Sequence, residues 1–131
     1  MINQLLANED RGVTVIRLAA AVLMGIHGVA RIALGIVGAF GTALGQWGFP
    51  LGGTLAWSIT IFEIIGALAL LTNRFVVPVA MLFIAQLLMG IALIHAKSGW
   101  FVVGAGRNGV EFSVLLIACF AALIVSRLAR R

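Results

Sequence analysis

Residues 54–95 read TLAWSITIFEIIGALALLTNRFVVPVAMLFIAQLLMGIALIH. The segment contains two apolar runs, 54–72 and 75–95, which are separated only by Asn73-Arg74. Each run is close to the ~20 residues that an α-helix needs to cross the hydrocarbon core of a bilayer. Because the break between them is so short, the two runs must fold back on each other. The stretch therefore predicts a tight hairpin of two membrane-spanning helices.

Two further apolar runs, at about 12–34 and 108–127, flank this hairpin. The composition agrees with a membrane location, since 63% of the 131 residues are hydrophobic and 10% are charged. In soluble domains roughly 45–50% of the residues are hydrophobic and about 25% are charged. With a mean hydropathy of +1.18, the chain has more apolar surface than a soluble fold of its size could bury. We predict an all-α integral membrane four-helix bundle that forms one domain over residues 1–131.

The linker between the first two spans carries its own helical pattern. Its apolar residues fall at i, i+4, i+7, i+8 and i+11, which places them on one face of a helix: Ile36, Phe40, Ala43, Leu44 and Trp47. Gly48-Phe49-Pro50 then interrupts the pattern. We predict a short interfacial helix between spans one and two.

The net charge of +5 does not indicate nucleic-acid binding, because the basic residues are scattered singly near the ends of apolar runs. The distribution of these basic residues does predict how the chain is oriented in the membrane. Five lie at the termini and the short hairpin, namely Arg11, Arg74, Arg127, Arg130 and Arg131. Three lie on the other side, namely Arg31, Lys97 and Arg107. The positive-inside rule then predicts a multi-pass protein of the bacterial inner (plasma) membrane with both termini in the cytoplasm.

Ionisable side chains inside the predicted spans cost roughly 2.5–3.5 kcal/mol each at mid-bilayer, so they must find partners. Arg17 in the first span and Glu63 in the second are predicted to form a buried ion pair, which either locks the helix register or serves a function. Gln86 and His95 are nine residues apart, so a straight helix would place them on opposite sides. We predict that both can belong to one site only if the helix bends near Gly90.

A second polar group lies toward the opposite end of the bundle, and its members are His27, Arg31, His95, Arg107, Asn108 and Glu111. Together they predict a pocket for a small molecule with carbonyl oxygens, such as a quinone head group. Arginine and histidine would donate hydrogen bonds, and Glu111 would relay protons. One alternative is snorkelling of the long side chains into water. Another is a metal face of His27, His95 and Glu111, which the adjacent arginines disfavour because they repel a cation.

These residues carry a resemblance to the DoxX family (DoxX/DoxD-like) of small bacterial membrane proteins. Ile16-Arg17-Leu18 through His27-Gly28 resembles the family's opening helix, and Glu63–Ala67 followed by Asn73-Arg74 resembles its second helix. Gly48-Phe49-Pro50 resembles its first loop. The most specific stretch runs from His95 through Gly99-Trp100-Phe101 to Asn108–Phe112. In the family, the position of Arg31 is often lysine; arginine keeps the charge but not a Schiff-base or proton-accepting role.

The resemblance implies a four-helix membrane bundle. Some relatives resemble the membrane subunit of thiosulfate:quinone oxidoreductase, and others are associated with oxidative-stress or sulfur-related membrane complexes. We therefore expect a quinone- or small-molecule-binding subunit of a redox-related complex. Its expected partners are the lipid bilayer, a membrane or redox protein, and further copies of the chain.

Two alternatives remain, a structural or assembly scaffold without its own ligand and a small proton-coupled transporter. The single cysteine, Cys119, excludes an intrachain disulfide, a CxxC pair and an iron–sulfur cluster. We predict no covalently bound cofactor, a quinone as the candidate ligand, and no metal. No catalytic residue is assigned.

Overall fold

The computed structural model describes residues 9–131, which contain five α-helices and one short 3₁₀-helix and no β-strand. The α-helices are α1 (Arg11–Ala33), α2 (Val37–Gln46), α3 (Gly52–Leu71), α4 (Val76–Leu93) and α5 (Glu111–Leu128). The 3₁₀-helix, His95–Ser98, directly follows α4. All-α architecture is thereby confirmed, and a short helix does lie between the first two long ones.

Four of the helices, α1, α3, α4 and α5, are long and apolar enough to cross a membrane. Within each of them only 22% to 33% of the 18-residue apolar window is buried inside the protein. Most residues of these windows are therefore not buried within the protein, and a bilayer can cover the apolar surface that they expose. The chain is a multi-pass membrane protein whose helices contact the bilayer.

The four long helices pack in the ring order α3–α1–α5–α4. Helix α1 packs on α3 and α5, α4 packs chiefly on α5, and the α3–α4 contact that closes the ring is the least extensive. The alternating direction of the helices brings the start of α1 and the ends of α3 and α5 to one end of the bundle, the terminal end. The α2 helix and the 95–110 loop lie at the other, the loop end.

Local sequence explains how α1 begins and how it approaches α3. Asp10 caps the helix, because its carboxylate Oδ1 accepts hydrogen bonds from the backbone N–H groups of Gly12 and Val13. Further along, a Cβ placed on Gly28 would lie 2.9 Å from both the Thr60 carbonyl oxygen and Ile64 Cγ1. The missing side chain lets the two backbones approach closely, as small residues do in membrane interfaces.

Helix α2 packs on the start of α3 and covers the loop end of the bundle. The contact is again made by glycines, since a Cβ on Gly52 would lie 2.2 Å from the carbonyl oxygen of Gly41. In the centre of the bundle, Phe62, Phe83 and Phe120 form a run of ring contacts with centroid separations of 4.8 Å and 5.2 Å. This aromatic core separates the terminal end from a cavity at the loop end.

Candidate functional site

A cavity of about 320 Å³ lies inside the bundle at the loop end. Every α-helix contributes to its wall, and most of the lining is apolar. The lining residues from α2 and its C-terminal cap are Phe40, Leu44 and Trp47. The volume is at the lower end of the ~300–1,000 Å³ range that is usual for small-molecule sites.

Glu63 forms the polar floor of the cavity. It lies eleven residues after the start of α3, about 16 Å along the helix and so near its middle. Its side chain is only 2% exposed. The carboxylate accepts hydrogen bonds from the Arg31 guanidinium, 2.7 Å from Oε2, and from the Gln86 amide on α4. One buried carboxylate thus joins α1, α3 and α4.

Arg31 reaches this floor from the last turn of α1, and its side chain is 15% exposed. Its Nη1 also donates to the hydroxyl of Thr60 at 3.0 Å. The guanidinium lies over the ring of Phe40, 4.6 Å from the centroid, which is a favourable cation–π arrangement. Arg31 is therefore held inside the bundle and does not snorkel out of it.

The predicted Arg17–Glu63 pair does not form, because each residue has a different partner. Cα–Cβ bonds tilt toward the N-terminus of a helix. For Arg17 on α1 that direction is the terminal end of the bundle, whereas for Glu63 on the antiparallel α3 it is the loop end. Arg31 points from the end of α1 back into the bundle and so meets Glu63. The predicted pair is therefore wrong, because it would require the Arg17 side chain to point toward the middle of the bundle.

Arg17 instead belongs to a second buried cluster at the terminal end. It donates to the carboxylate of Glu9 at 3.0 Å and to the backbone carbonyl of Leu70. Arg127 on α5 donates to the same carboxylate at 3.1 Å and to the side-chain oxygen of Asn73. Burial raises the pKa of the Glu9 carboxyl, but hydrogen bonds from Arg17 and Thr14 and the charges of both arginines hold it below its ordinary value.

His95 and Gln86 both line the cavity, although a straight helix would separate them. The α-helix ends at Leu93 and His95 begins the 3₁₀ turn, so the angular spacing of an α-helix no longer applies. The Nδ1–H of His95 donates to the carbonyl oxygen of Asn108, 2.9 Å away. This bond places a proton on Nδ1 and fixes the orientation of the ring.

Of the six residues predicted to bind a ligand, the structure places His27, Arg31, His95 and Asn108 on the cavity wall. Arg107 and Glu111 are not among its lining residues. Arg107 is exposed, and Glu111 accepts a hydrogen bond from the backbone N–H of Val102 at 2.7 Å. In this structure Glu111 therefore fixes the loop to the start of α5.

The metal alternative lacks the required geometry. Within residues 9–131, His27, His95 and Glu111 do not converge, and no other group of three or more histidine, cysteine or acidic side chains is placed to hold an ion. The cavity instead has the donors and acceptors of Arg31, Gln86 and the two histidines, surrounded by apolar side chains. This arrangement suits a small neutral molecule, because Glu63 already balances the charge of Arg31.

Sequence reasoning missed three contributors to the cavity: Glu63, Gln86 and the aromatic face of α2. The stripe of α2 that includes Phe40 and Trp47 was identified, but it was assigned to the membrane interface and not to a binding site. Glu63 had been assigned to the wrong arginine. The available signal was side-chain direction, which points Arg31 and Glu63 toward each other on antiparallel helices.

Residues 12–96 match the family model described as DoxX. The match covers α1 to α4 and the site residues His27, Arg31, Glu63, Gln86 and His95. It stops before Asn108 and α5, so all but the first two residues of the stretch that carried the most specific resemblance lie outside it. No curated protein and no solved structure gives a significant match to the chain.

Proposed function

The chain belongs to the DoxX family of membrane proteins, and on that premise we propose that it binds a small molecule with carbonyl oxygens, such as a quinone head group, as a membrane subunit of a redox-related complex. The observation that carries the proposal is the Arg31–Glu63–Gln86 network at the floor of a largely apolar cavity. Apolar walls with a few convergent polar groups are typical of binding sites for such ligands.

The polar groups have complementary roles toward such a ligand. The guanidinium of Arg31 donates to Glu63 through Nη1 at 2.7 Å and through Nη2 at 3.5 Å, and Nη1 also donates to Thr60. A ligand carbonyl would accept from the N–H groups that these bonds leave. His27 adds a second donor or acceptor on the wall. The ring of a quinone would pack against Trp47 and its neighbours, with its carbonyl oxygens directed at these donors.

We infer the orientation from the charges that the structure leaves outside. Arg31 is buried against Glu63 and so no longer counts among the exposed charges of the loop end. This leaves Lys97 and Arg107 there. At the terminal end Arg127 is set aside on the same ground, because it pairs with Glu9, and the exposed arginines are Arg11, Arg74, Arg130 and Arg131. The asymmetry favours cytoplasmic termini in a bacterial inner membrane. Helix α2 would then lie at the outer interface and cover the cavity.

Fluorescence of the native tryptophans provides the test of ligand binding. Trp47 lines the cavity, whereas Trp57 and Trp100 do not. A tail-less benzoquinone titrated into the purified protein in lipid nanodiscs should quench part of the emission in a saturable manner. The variant Trp47→Phe should lose that saturable component while still retaining the quinone in an equilibrium-binding assay.

The assignment of the wall is tested by His27→Leu, which removes the imidazole without emptying the space. Losing one hydrogen bond should weaken quinone binding about tenfold. Arg107→Gln is the matched control, since Arg107 is charged but lies off the cavity wall, and it should bind as wild type. Equal weakening by both variants, or saturable quenching that survives in Trp47→Phe, would contradict this site.

The scaffold alternative is favoured by a different observation. Within residues 9–131, every buried side-chain nitrogen and oxygen has a hydrogen-bond partner without any ligand. Networks of this kind can lock helix register on their own. Absence of saturable quinone binding, together with stable co-purification of a partner protein, would favour a scaffold over a ligand-binding subunit.

Proton-coupled transport is the least favoured function. Glu63, the carboxylate at mid-membrane, is held by Arg31 and Gln86 and is therefore a poor carrier of a proton. Proton-driven uptake in reconstituted vesicles that is abolished by Glu63→Gln would reverse this ranking.

A further inference from the structure

His27 is a polar side chain at membrane depth without a protein partner. It lies six residues before the end of α1, about 9 Å along the helix axis. Its ring lines the cavity and is exposed, and among residues 9–131 it forms no hydrogen bond or ion pair. An unpaired polar group in the hydrocarbon region is costly. A hydrogen-bonding molecule that enters the cavity would offset this cost.

The direction in which His27 points indicates where the cavity would open through the bundle wall. Gly25 faces α3, since a Cβ on it would contact Ala67. At 100° per residue, His27 is turned about 160° from Gly25 and so faces α5. On α5, Phe112 also lines the cavity and is 37% exposed. In the ring order, α5 lies between α1 and α4. The right-handed turn of α5 then places Phe112 on the side of that helix that faces α1.

The two helices are tied together at the opposite end. There Glu9 binds both Arg17 on α1 and Arg127 on α5. Toward the loop end, the helices line the cavity from either side. His27 and Phe112 both line the cavity and are both exposed, so a lateral opening from the cavity to the lipid would lie between them. We name this position the α1–α5 opening.

The size of the cavity determines which ligand would use this opening. About 320 Å³ is enough for a ring-sized head group but not for a long hydrocarbon chain as well. A chain that leaves through the α1–α5 opening would be solvated by the acyl chains of the bilayer.

We propose that the ligand is a bilayer-dissolved amphiphile with a carbonyl-bearing ring and a long apolar tail, that it enters laterally through the α1–α5 opening, and that its head group binds His27 while its tail remains in the lipid. This inference rests on the proposed function and specifies its ligand class. A water-soluble molecule that enters from the loop end is the competing ligand.

The test blocks the opening without changing the cavity wall. Leu115 lies on the α1 side of α5, one turn beyond Phe112, is 61% exposed and does not line the cavity. Leu115→Trp should cover the opening with a larger side chain. Leu88→Trp on α4 is the matched control, because Leu88 is similarly exposed, at 53%, and also lies off the cavity wall.

Equilibrium retention of two benzoquinones with the same ring, one tail-less and one with a polyprenyl tail, is measured in nanodiscs. Leu115→Trp should weaken binding of the tailed quinone at least tenfold, with tail-less binding within twofold of wild type. Leu88→Trp should leave both unchanged. If tailed binding survives in Leu115→Trp, or both tryptophan variants weaken it equally, the lateral opening is refuted while the binding function stands. If wild type retains neither quinone, the proposed function itself fails.

Discussion

Replacing Glu63 with leucine removes the carboxylate that holds Arg31 and Gln86. Breaking a buried ion pair by removing one partner costs about 3–5 kcal/mol, because the other charge is left without compensation. Arg31 is 15% exposed and keeps its contact with Thr60, which places the expected loss at the lower limit, about 3 kcal/mol. The bundle should therefore unfold at a clearly lower denaturant fraction than wild type.

The double variant Arg31→Leu/Glu63→Leu separates the lost pair from the stranded charge. With both charges gone, an apolar floor should be tolerated, and the double variant should recover about 2 kcal/mol relative to Glu63→Leu alone. Reversible unfolding in mixed micelles by increasing sodium dodecyl sulfate, followed by circular dichroism, measures both values. A double variant as unstable as Glu63→Leu, or a single loss below about 1 kcal/mol, would refute the pairing argument.

The remaining predictions concern packing and pH. Gly28→Ala should destabilise the bundle by about 1–3 kcal/mol in the same unfolding assay, because its Cβ would press on α3; Gly38→Ala, with nothing within 4 Å, should be neutral or mildly stabilising. Folding lowers the pKa of the Glu9 carboxyl from its ordinary value of about 4.5. The ionised carboxylate therefore stabilises the folded protein fully above pH 4.5, and this stabilisation is lost as the pH falls through the lower pKa of the folded state. Glu9→Gln should flatten that acid dependence, and an unchanged pH profile would contradict the argument. Gly109→Ala should release the loop from Trp100, since the added Cβ would lie 2.3 Å from its carbonyl carbon, and faster amide exchange at the loop would report it.

The residues of the cavity show what could be foreseen. His27, Arg31, His95 and Asn108 were predicted as one polar group, because polar residues in apolar spans are few and depth along each span sorts them. Arg107 and Glu111 were included for the same reason but do not line the wall. Their exclusion depends on how the loop closes through the Glu111–Val102 bond, which no periodic pattern encodes.

Hydropathy and length determined that the chain forms four membrane-spanning helices, and the helical spacing of apolar residues in the linker determined the short helix between the first two. Each of these properties is local to a segment, and the bilayer requires the backbone hydrogen bonds of a spanning segment to be made within it. The structural helix bounds fall within three residues of the predicted ones. Only the tertiary structure decided which arginine forms an ion pair with which carboxylate. That choice depends on the ring order of the helices and on the direction of each side chain along its own axis, so Arg31 meets Glu63 across antiparallel helices while Arg17 is directed away from it toward Glu9.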